Sequence, residues 1–337
     1  MRGPRRDDAR PVTCEGDPDV NGFARKETFF PSATSIEAAT PATLPERHAS
    51  RLALDGLFWR RLAQRLACHG PSWFVRWAPP VIGAAIALLV PASRRVISKH
   101  LARARGPVGR WRNLLDVCST FANFASCLTE VLAGGSKNAS APDARVLGHP
   151  DVDTLLASHG GIIFATAHTA GWESLGALLI RQHRKRVMIV MRRERNEAAR
   201  RLQDSIREAH SGVQIVHVDG DPLASLPLVR HLRDGGVVAL QIDRVPYGMS
   251  GRAVSLFGEP GAVPEGPLRL AQLTGAPLVP VFSARTGHRR YEVHLQRPIE
   301  VARRATAATL DAAAQRLADD LSAFVSARPT QWFAFGE

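Results

Sequence analysis

The chain has 337 residues, of which 45% are hydrophobic and 22% charged, so it can bury a large core and is not an intrinsically disordered protein as a whole. Lysine and arginine exceed the acidic residues by 44 to 31, and the net charge of +13 points to an anionic partner: nucleic acid, an anionic membrane surface or a phosphorylated substrate. The four cysteines form no CxxC pair and no His/Cys ligand spacing, which predicts a reducing compartment and no metal site.

The first 50 residues are rich in Pro, Thr, Arg and Asp and show no hydrophobic periodicity. They also lack the apolar core of a signal peptide. Such a composition cannot bury enough apolar surface to offset the loss of chain entropy. We therefore predict a disordered extension over residues 1–50.

Residues 52–96 are helical in pattern and mix aromatic residues with arginines, as in Trp73-Phe-Val-Arg-Trp77. An apolar run over 81–90 follows, with prolines at 79, 80 and 91 around it. The run is about half the roughly 20 residues that a spanning helix needs. Aromatic residues beside arginines are typical of a helix that lies in the membrane interface. A buried core helix is the alternative for this segment.

Residues 111–133 carry apolar side chains at helical spacing and should pack on the domain that follows. Strand and helix patterns alternate from about residue 151, which predicts an α/β fold with a central, mostly parallel or mixed sheet flanked by helices. The predicted strands are 161–165, 187–191, 213–218, 237–242, 252–257, 277–283 and 290–295. The predicted helices are 171–180, 194–210, 222–233, 265–274 and 309–327.

His168 and Glu173 form the most informative motif. A buried strand pattern precedes the histidine and a helix pattern follows it, so His168 lies on a turn at the carboxyl end of a strand, where α/β sheets usually bind ligands. Glu173 in the first helical turn could accept a hydrogen bond from one ring nitrogen and leave the other free to act as a base. With 12 histidines and 31 acidic residues in the chain, about one pair at this spacing is expected by chance, so the context carries the prediction.

Other predicted strands also end in polar residues. Arg192 and Asn196 follow the strand at 187–191, and Asp243 and Arg244 follow the strand at 237–242. Arginines at this edge of a parallel sheet can clamp a phosphate or a carboxylate. Residues 258–266 are predicted to be a loop that leads into a helix; they lack the Lys-Ser/Thr of a P-loop.

Several motifs in this order resemble the bacterial lipid A biosynthesis lauroyl/myristoyl acyltransferases, within the wider group of lysophospholipid and glycerol-phosphate acyltransferases. The resemblance covers roughly residues 58–335. It rests on His168-x4-Glu173, Arg192-x3-Asn196, Asp243, Val254-Ser-Leu-Phe-Gly258, the segment 266–280, and Pro329-Thr-Gln-Trp332.

The resemblance implies transfer of a fatty acyl chain from an acyl carrier protein or coenzyme A thioester to a hydroxyl of a membrane lipid such as a lipid A precursor. His168 would then be the base and Glu173 its orienting acid, with no cofactor beyond the thioester donor. Arg192 would hold a phosphate or the developing oxyanion, and Asp243 would support that arginine or the acceptor. Phe257 and Gly258 would line the path of the acyl chain, and Asn196 and Arg244 complete the predicted substrate site.

The resemblance also implies the division of the chain and its location. Residues 51–145 would be a helical, membrane-associating region, and residues 146–337 the catalytic domain, at the cytoplasmic face of the bacterial inner membrane in a peripheral or monotopic mode. An acidic acyl carrier protein and an anionic membrane surface would both suit the positive charge.

Departures from the family pattern concern the acceptor. Thr169 stands where an aromatic residue is common, and no second acid follows Asp243 closely. A phosphatidylinositol mannoside or another polar lipid is the alternative acceptor. A non-catalytic lipid-binding member of the fold is a further alternative. Nucleic-acid binding rests on charge alone, without a helix-turn-helix, RRM or zinc pattern, and we predict no nucleic-acid partner.

Overall fold

The structure is a computed structural model and describes residues 57–133, 142–172, 183, 185–192, 201, 213–218, 225–246 and 248–336. Four helices come first: α1 Leu57–His69, α2 Ser72–Leu89, α3 Pro91–Arg105 and α4 Arg110–Ala133. The predicted disordered extension over 1–50 and most of the predicted helices 171–180 and 194–210 lie outside the described residues.

Helix α2 corrects the prediction that prolines bound a short apolar run. The helix continues through Pro79 and Pro80 and ends at Leu89. Each proline lacks an N–H donor, but its fixed φ is compatible with a helix. Tight packing on α4 holds this segment, since a Cβ at Gly83 would overlap the backbone of Phe121. Within the described part of the chain, α2 is the one helix whose length and hydropathy would suffice to cross a membrane, and only 17% of it is buried.

A seven-stranded sheet forms the centre of the fold. Its strands are β1 Asp143–Gly148, β2 Ile162–Thr166, β3 Val187–Arg192, β4 Gln214–Val218, β5 Val237–Gln241, β8 Leu278–Gly287 and β9 Arg290–Leu295. Their order is β1-β9-β8-β2-β5-β3-β4. The pairs are parallel except for β8 with β9, so the sheet is mixed, with five parallel strands from β8 to β4. The predicted fold class is confirmed.

Two more strands, β6 Gly251–Leu256 and β7 Glu259–Pro264, form a separate antiparallel hairpin. The predicted loop over residues 258–266 includes all of β7, and that prediction is wrong. The one glycine and two prolines of β7 obscure a strand pattern, although proline is tolerated on the edge of a two-stranded ribbon. The α3 residue Arg103 holds the hairpin through an ion pair with Glu259 of 3.0 Å and a 2.8 Å hydrogen bond to the Pro260 carbonyl.

Helices cover both faces of the sheet. They are α5 Pro150–Ala157, α6 Leu226–Arg233, α7 Gly266–Thr274 and α8 Ala307–Ala327, with a short 3-10 helix at Pro329–Gln331. One face packs on α6, α7 and α8, and the other packs on α5 through Val152 and Leu156. All five residues of β2 are buried, as expected of a strand covered on both sides. Because β2 is packed on both sides, the start of the loop that follows it is held in place.

Candidate active site

The register of β2 and β5 brings His168 and Asp243 together. Thr166 at the end of β2 pairs with Gln241 at the end of β5 in a parallel arrangement. The backbone N–H of Ile242 extends this pairing by donating to the Thr166 carbonyl over 2.8 Å. His168 and Asp243 each lie two residues beyond the paired positions, so both emerge at the carboxyl edge of the sheet.

A carboxylate of Asp243 holds one nitrogen of His168. Nδ1 of the ring lies 2.9 Å from Oδ1 and 3.1 Å from Oδ2 of Asp243. The backbone N–H of His168 also donates to Oδ2, over 3.3 Å. Because an ionised carboxylate only accepts hydrogen bonds, Nδ1 carries the proton and Nε2 of the neutral ring carries the lone pair.

Asp243 is fully buried and yet stays ionised. Burial by itself would raise the pKa of this carboxyl group, but the hydrogen bond of His168 (and its charge when the ring is protonated), the hydrogen bond of Trp332 and the charge of Arg244 together lower the pKa below its ordinary value. The Asp243 side chain has no exposed surface, whereas the His168 ring is 25% exposed. The carboxylate is thus shielded from water, while the imidazole is partly open to solvent.

Arg244 covers the outward side of the imidazole. Its Nη2 lies 3.0 Å from Nε2 and 3.3 Å from Nδ1 of His168. With the proton on Nδ1, the guanidinium donates to the Nε2 lone pair. Arg244 is itself exposed at the rim, near the backbone of Gly336. It has to turn aside before Nε2 can accept a proton from another molecule.

The end of the chain is built into this site. The backbone N–H of Phe333 donates to the His168 carbonyl over 2.7 Å, and that of Ala170 donates to the Gln331 carbonyl over 3.0 Å. Between them, Thr169 and Trp332 form an isolated antiparallel bridge. The indole N–H of Trp332 donates to Oδ2 of Asp243 over 3.0 Å. One short segment therefore contacts both the histidine loop and the acid.

Gly171 allows the chain to turn directly after this bridge. Its φ is +85°, and a Cβ there would overlap the ring of Tyr291 in β9. The Tyr291 hydroxyl in turn donates to Glu130 of α4, which also pairs with Arg285 at 2.8 Å. Helix α4 is thereby fixed to the sheet beneath the histidine loop, as its predicted packing on the following domain requires.

Phe257 and Gly258 form the turn between β6 and β7, with φ of +57° and +78°. The Phe257 ring lies 5.3 Å from the ring of Trp332, and the Arg103 guanidinium lies 5.9 Å from the centroid of the Phe257 ring. The structure thus brings Phe257 beside the site by way of Trp332. Its predicted contact with an acyl chain stays a prediction.

Of the three other predicted site residues Glu173, Arg192 and Asn196, the structure describes only the backbone of Arg192. Glu173 and Asn196 lie outside the described residues. The backbone of Arg192 ends β3, three residues beyond Ile189, which pairs with Ala239 of β5, so its Cα lies at the same edge as Asp243. The sequence analysis assigned Asp243 to Arg192 or the acceptor, but the described hydrogen bonds of its side chain go to the His168 loop and Trp332.

Sequence reasoning assigned no role to Trp332, although the motif that contains it supported the family resemblance. The indole is 89 residues away from Asp243 along the chain. A spacing rule could not find such a contact. A buried tryptophan needs a partner for its N–H, however, and that requirement was a usable signal.

Comparison with known proteins shows which family this chain resembles. Residues 117–336, more than half of the chain, match the family model of the bacterial lipid A biosynthesis acyltransferases. The chain is also 29% identical over 190 residues to a phosphatidylinositol mannoside acyltransferase of Mycobacterium tuberculosis (strain CDC 1551 / Oshkosh). It is 28% identical over 190 residues to the protein of the same name from strain ATCC 25618 / H37Rv.

Each of these two alignments covers 56% of this chain and 58% of the relative, so the chain spans little more than half the length of the relatives it matches. The family match includes the histidine loop, Asp243 and the closing segment with Trp332. The chain belongs to the bacterial lipid A biosynthesis acyltransferase family.

Proposed function

We propose that this protein transfers a fatty acyl chain from a thioester of acyl carrier protein or coenzyme A to a hydroxyl of a membrane glycolipid. The observation that carries the proposal is the His168–Asp243 pair at the carboxyl edge of the sheet, with Nδ1 held at 2.9 Å and Nε2 directed outward. Family membership supports the reaction class.

In the proposed reaction, Nε2 of His168 accepts the proton of the acceptor hydroxyl as its oxygen attacks the thioester carbonyl. The carbon–sulfur bond then breaks, and the protonated ring returns the proton to the leaving thiolate. Asp243 stabilises the positive charge that the ring carries between these two transfers. A thioester is already activated, so the reaction needs neither an acyl-enzyme intermediate nor a further cofactor.

Arg244 would take two positions during this cycle. In the structure it donates to Nε2 over 3.0 Å. A phosphate of the donor or the acceptor is a stronger partner for a guanidinium than a neutral ring nitrogen. Binding of such a substrate would therefore draw Arg244 away and free the base at the moment when the substrate is present.

Among the remaining predicted residues, Glu173 was expected to orient the ring, a role that this proposal gives to Asp243; the others keep the roles that the resemblance implies. Arg192 at the end of β3 would bind a phosphate or stabilise the oxyanion, with Asn196 nearby. Glu173 would be a second acid of the site. Phe257 and Gly258 would border the acyl chain. Support for placing Arg192 in the site comes from the shared edge of the sheet, where β2, β3 and β5 all end.

Helix α2 and the start of α4 offer a surface for membrane attachment, which we call the docking face. Its exposed apolar side chains on α2 include Trp73 (65% exposed), Trp77 (60%), Val81 (68%) and Leu88 (54%). On α4 the docking face includes Trp111, which is 80% exposed, and Leu115. Arg76 lies 4.9 Å over the Trp77 ring.

Exposed tryptophans beside arginines suit an interface with anionic lipids, and the net charge of +13 has the required sign. We therefore propose a peripheral or monotopic attachment at the cytoplasmic face of the inner membrane. Attachment there would bring a lipid acceptor to the site from the membrane and a thioester from the cytoplasm.

The comparisons support two candidate acceptors. The family description points to a lipid A precursor, whereas both curated relatives are named for phosphatidylinositol mannoside. The test is a radiolabel transfer assay with both thioester donors and both classes of glycolipid. A labelled glycolipid supports the proposal and identifies the donor and the acceptor. Absence of a labelled lipid across all combinations, with folded protein, would contradict it.

A further inference from the structure

The two oxygens of the Asp243 carboxylate have different partners. Oδ1 makes the shorter contact with Nδ1 of His168, at 2.9 Å. Oδ2 accepts from the indole N–H of Trp332 at 3.0 Å and from the backbone N–H of His168 at 3.3 Å. A carboxylate that is bound at both oxygens cannot rotate about its terminal bond without losing a charge-assisted hydrogen bond.

Trp332 is held on both sides. Its ring lies 5.3 Å from the ring of Phe257 on the β6–β7 turn and 5.3 Å from the ring of His100 on α3. His100 Nδ1 lies 2.8 Å from the Ala334 carbonyl, so α3 also contacts the backbone that follows the tryptophan. The indole is 6% exposed. These contacts fix where its N–H points.

Phe257 adopts an unfavourable backbone conformation in order to make its contact. Its φ of +57° lies in the left-handed region, where a bulky residue is an outlier and where Gly or Asn is usual at this position of a two-residue hairpin. Its backbone N–H is satisfied by Ser322 at 3.1 Å. Strained residues of this kind cluster at functional sites, where the surrounding structure holds them in place.

We propose that Trp332 is a positioning residue for the catalytic pair: it fixes the Asp243 carboxylate so that Oδ1 faces Nδ1 of His168, and Phe257 supports its ring. Trp332 acts only through Asp243 and touches no reacting atom. The inference rests on the proposed function, since it assigns a role within the acyl-transfer site. The lowered pKa of Asp243, to which the Trp332 hydrogen bond contributes, is consistent with it.

The test is Trp332→Phe in the full chain, which removes the N–H donor and keeps an aromatic ring between Phe257 and His100. We expect kcat to fall about 10- to 100-fold, as for the loss of one hydrogen bond to a charged group, with KM nearly unchanged. In an Asp243→Asn background the same change should lower kcat no further, because residues that act as a unit are non-additive.

A matched control is Phe324→Leu on α8, which reduces a buried ring that is 6% exposed and stacks on Phe282. It should lower the melting temperature with little change in kcat. If Trp332→Phe does not fold, Phe257→Leu replaces it: this change removes the aromatic face against the indole, and its loss of kcat should also vanish in the Asp243→Asn background.

A second readout does not need turnover. In protein labelled with ¹⁵N-histidine, the Nδ1–H proton of His168 should resonate far downfield, be lost in Asp243→Asn, and move upfield in Trp332→Phe. An unchanged resonance, together with wild-type kcat or an additive double variant, would overturn the role of Trp332. A wild-type protein without acyl product would instead overturn the proposed function, while the resonance would still test Trp332.

Discussion

Asp243 decides which nitrogen of His168 carries the free lone pair. Its carboxylate occupies Nδ1 at 2.9 Å, which leaves Nε2 for a substrate. The nearer acid along the chain, Glu173, was the one that spacing suggested. Contact between residues 75 positions apart follows from strand pairing and cannot be seen in a local motif. Knowledge of the β2–β5 register would have been enough to find it.

The two acids can be separated by substitution. We expect Asp243→Asn to lower kcat by about 10²–10⁴-fold, because an amide can donate to Nδ1 and favour the wrong tautomer. Glu173→Gln should have a smaller effect. The measurement is steady-state acyl transfer by both variants, after circular dichroism has shown that each is folded. The opposite ranking would mean that Glu173 orients the ring.

Replacing Arg244 should have two separate effects, one on the reactivity of His168 and one on substrate binding. Arg244→Ala should speed the modification of His168 by diethyl pyrocarbonate, because Nε2 is no longer covered at 3.0 Å. It should also raise KM for the phosphate-bearing substrate, by about tenfold or more, because a charge-assisted contact is lost.

Mass spectrometry of the His168 peptide measures the modification rate, and Arg289→Ala provides a matched loss of an arginine elsewhere on the chain. Arg289 lies on the β8–β9 turn. Equal modification rates in the wild type and Arg244→Ala would contradict the covered-base arrangement.

Among the secondary-structure elements, those with unambiguous patterns were predicted well. The continuous apolar strands β2, β3 and β5 were confirmed within one or two residues, because burial on both faces leaves no polar interruption. Strand β7 and the full length of α2 were missed. In both, proline suggested a break, and tertiary packing overrode that local tendency, against β6 in one case and α4 in the other.

Helix α2 has a testable role at the membrane. Replacing both Trp73 and Trp77 by Glu should strongly reduce binding to vesicles that contain anionic lipid, because two exposed aromatic anchors become acidic. Co-sedimentation with the vesicles measures the effect.

The matched control changes two exposed leucines outside the docking face, Leu226 on α6 and Leu273 on α7, to Glu. This variant alters charge and apolar area in the same direction and should retain most of its binding. Equal losses in both double variants would show that net charge alone, and no particular face, attaches the protein.

Stability of the whole fold should fall as the pH drops from 7 towards 5. Burial lowers the pKa of His231 below its ordinary value of 6.5, despite the backbone hydrogen bond to Arg186. His294 is lowered in the same direction, also by burial first. The unfolded chain therefore takes up protons before the folded chain does, and the free energy of unfolding decreases as pH falls through the ordinary histidine range.

Chemical denaturation at several pH values measures this dependence. His231→Gln should reduce the loss between pH 7 and 5, since the buried titrating ring is gone. His69→Gln, on an exposed position of α1, is the control for removal of a histidine. A His231→Gln protein whose stability varies with pH as steeply as the wild type would contradict the assignment.

The proposed mechanism makes His168 the base of a thioester-dependent acyl transfer. Its most direct test compares wild type and His168→Ala in the radiolabel assay, with acyl carrier protein and coenzyme A thioesters and both classes of glycolipid. We predict a labelled lipid with the wild type and a rate lower by about 10²–10⁴-fold with the variant. A folded His168→Ala protein as active as the wild type would contradict the mechanism.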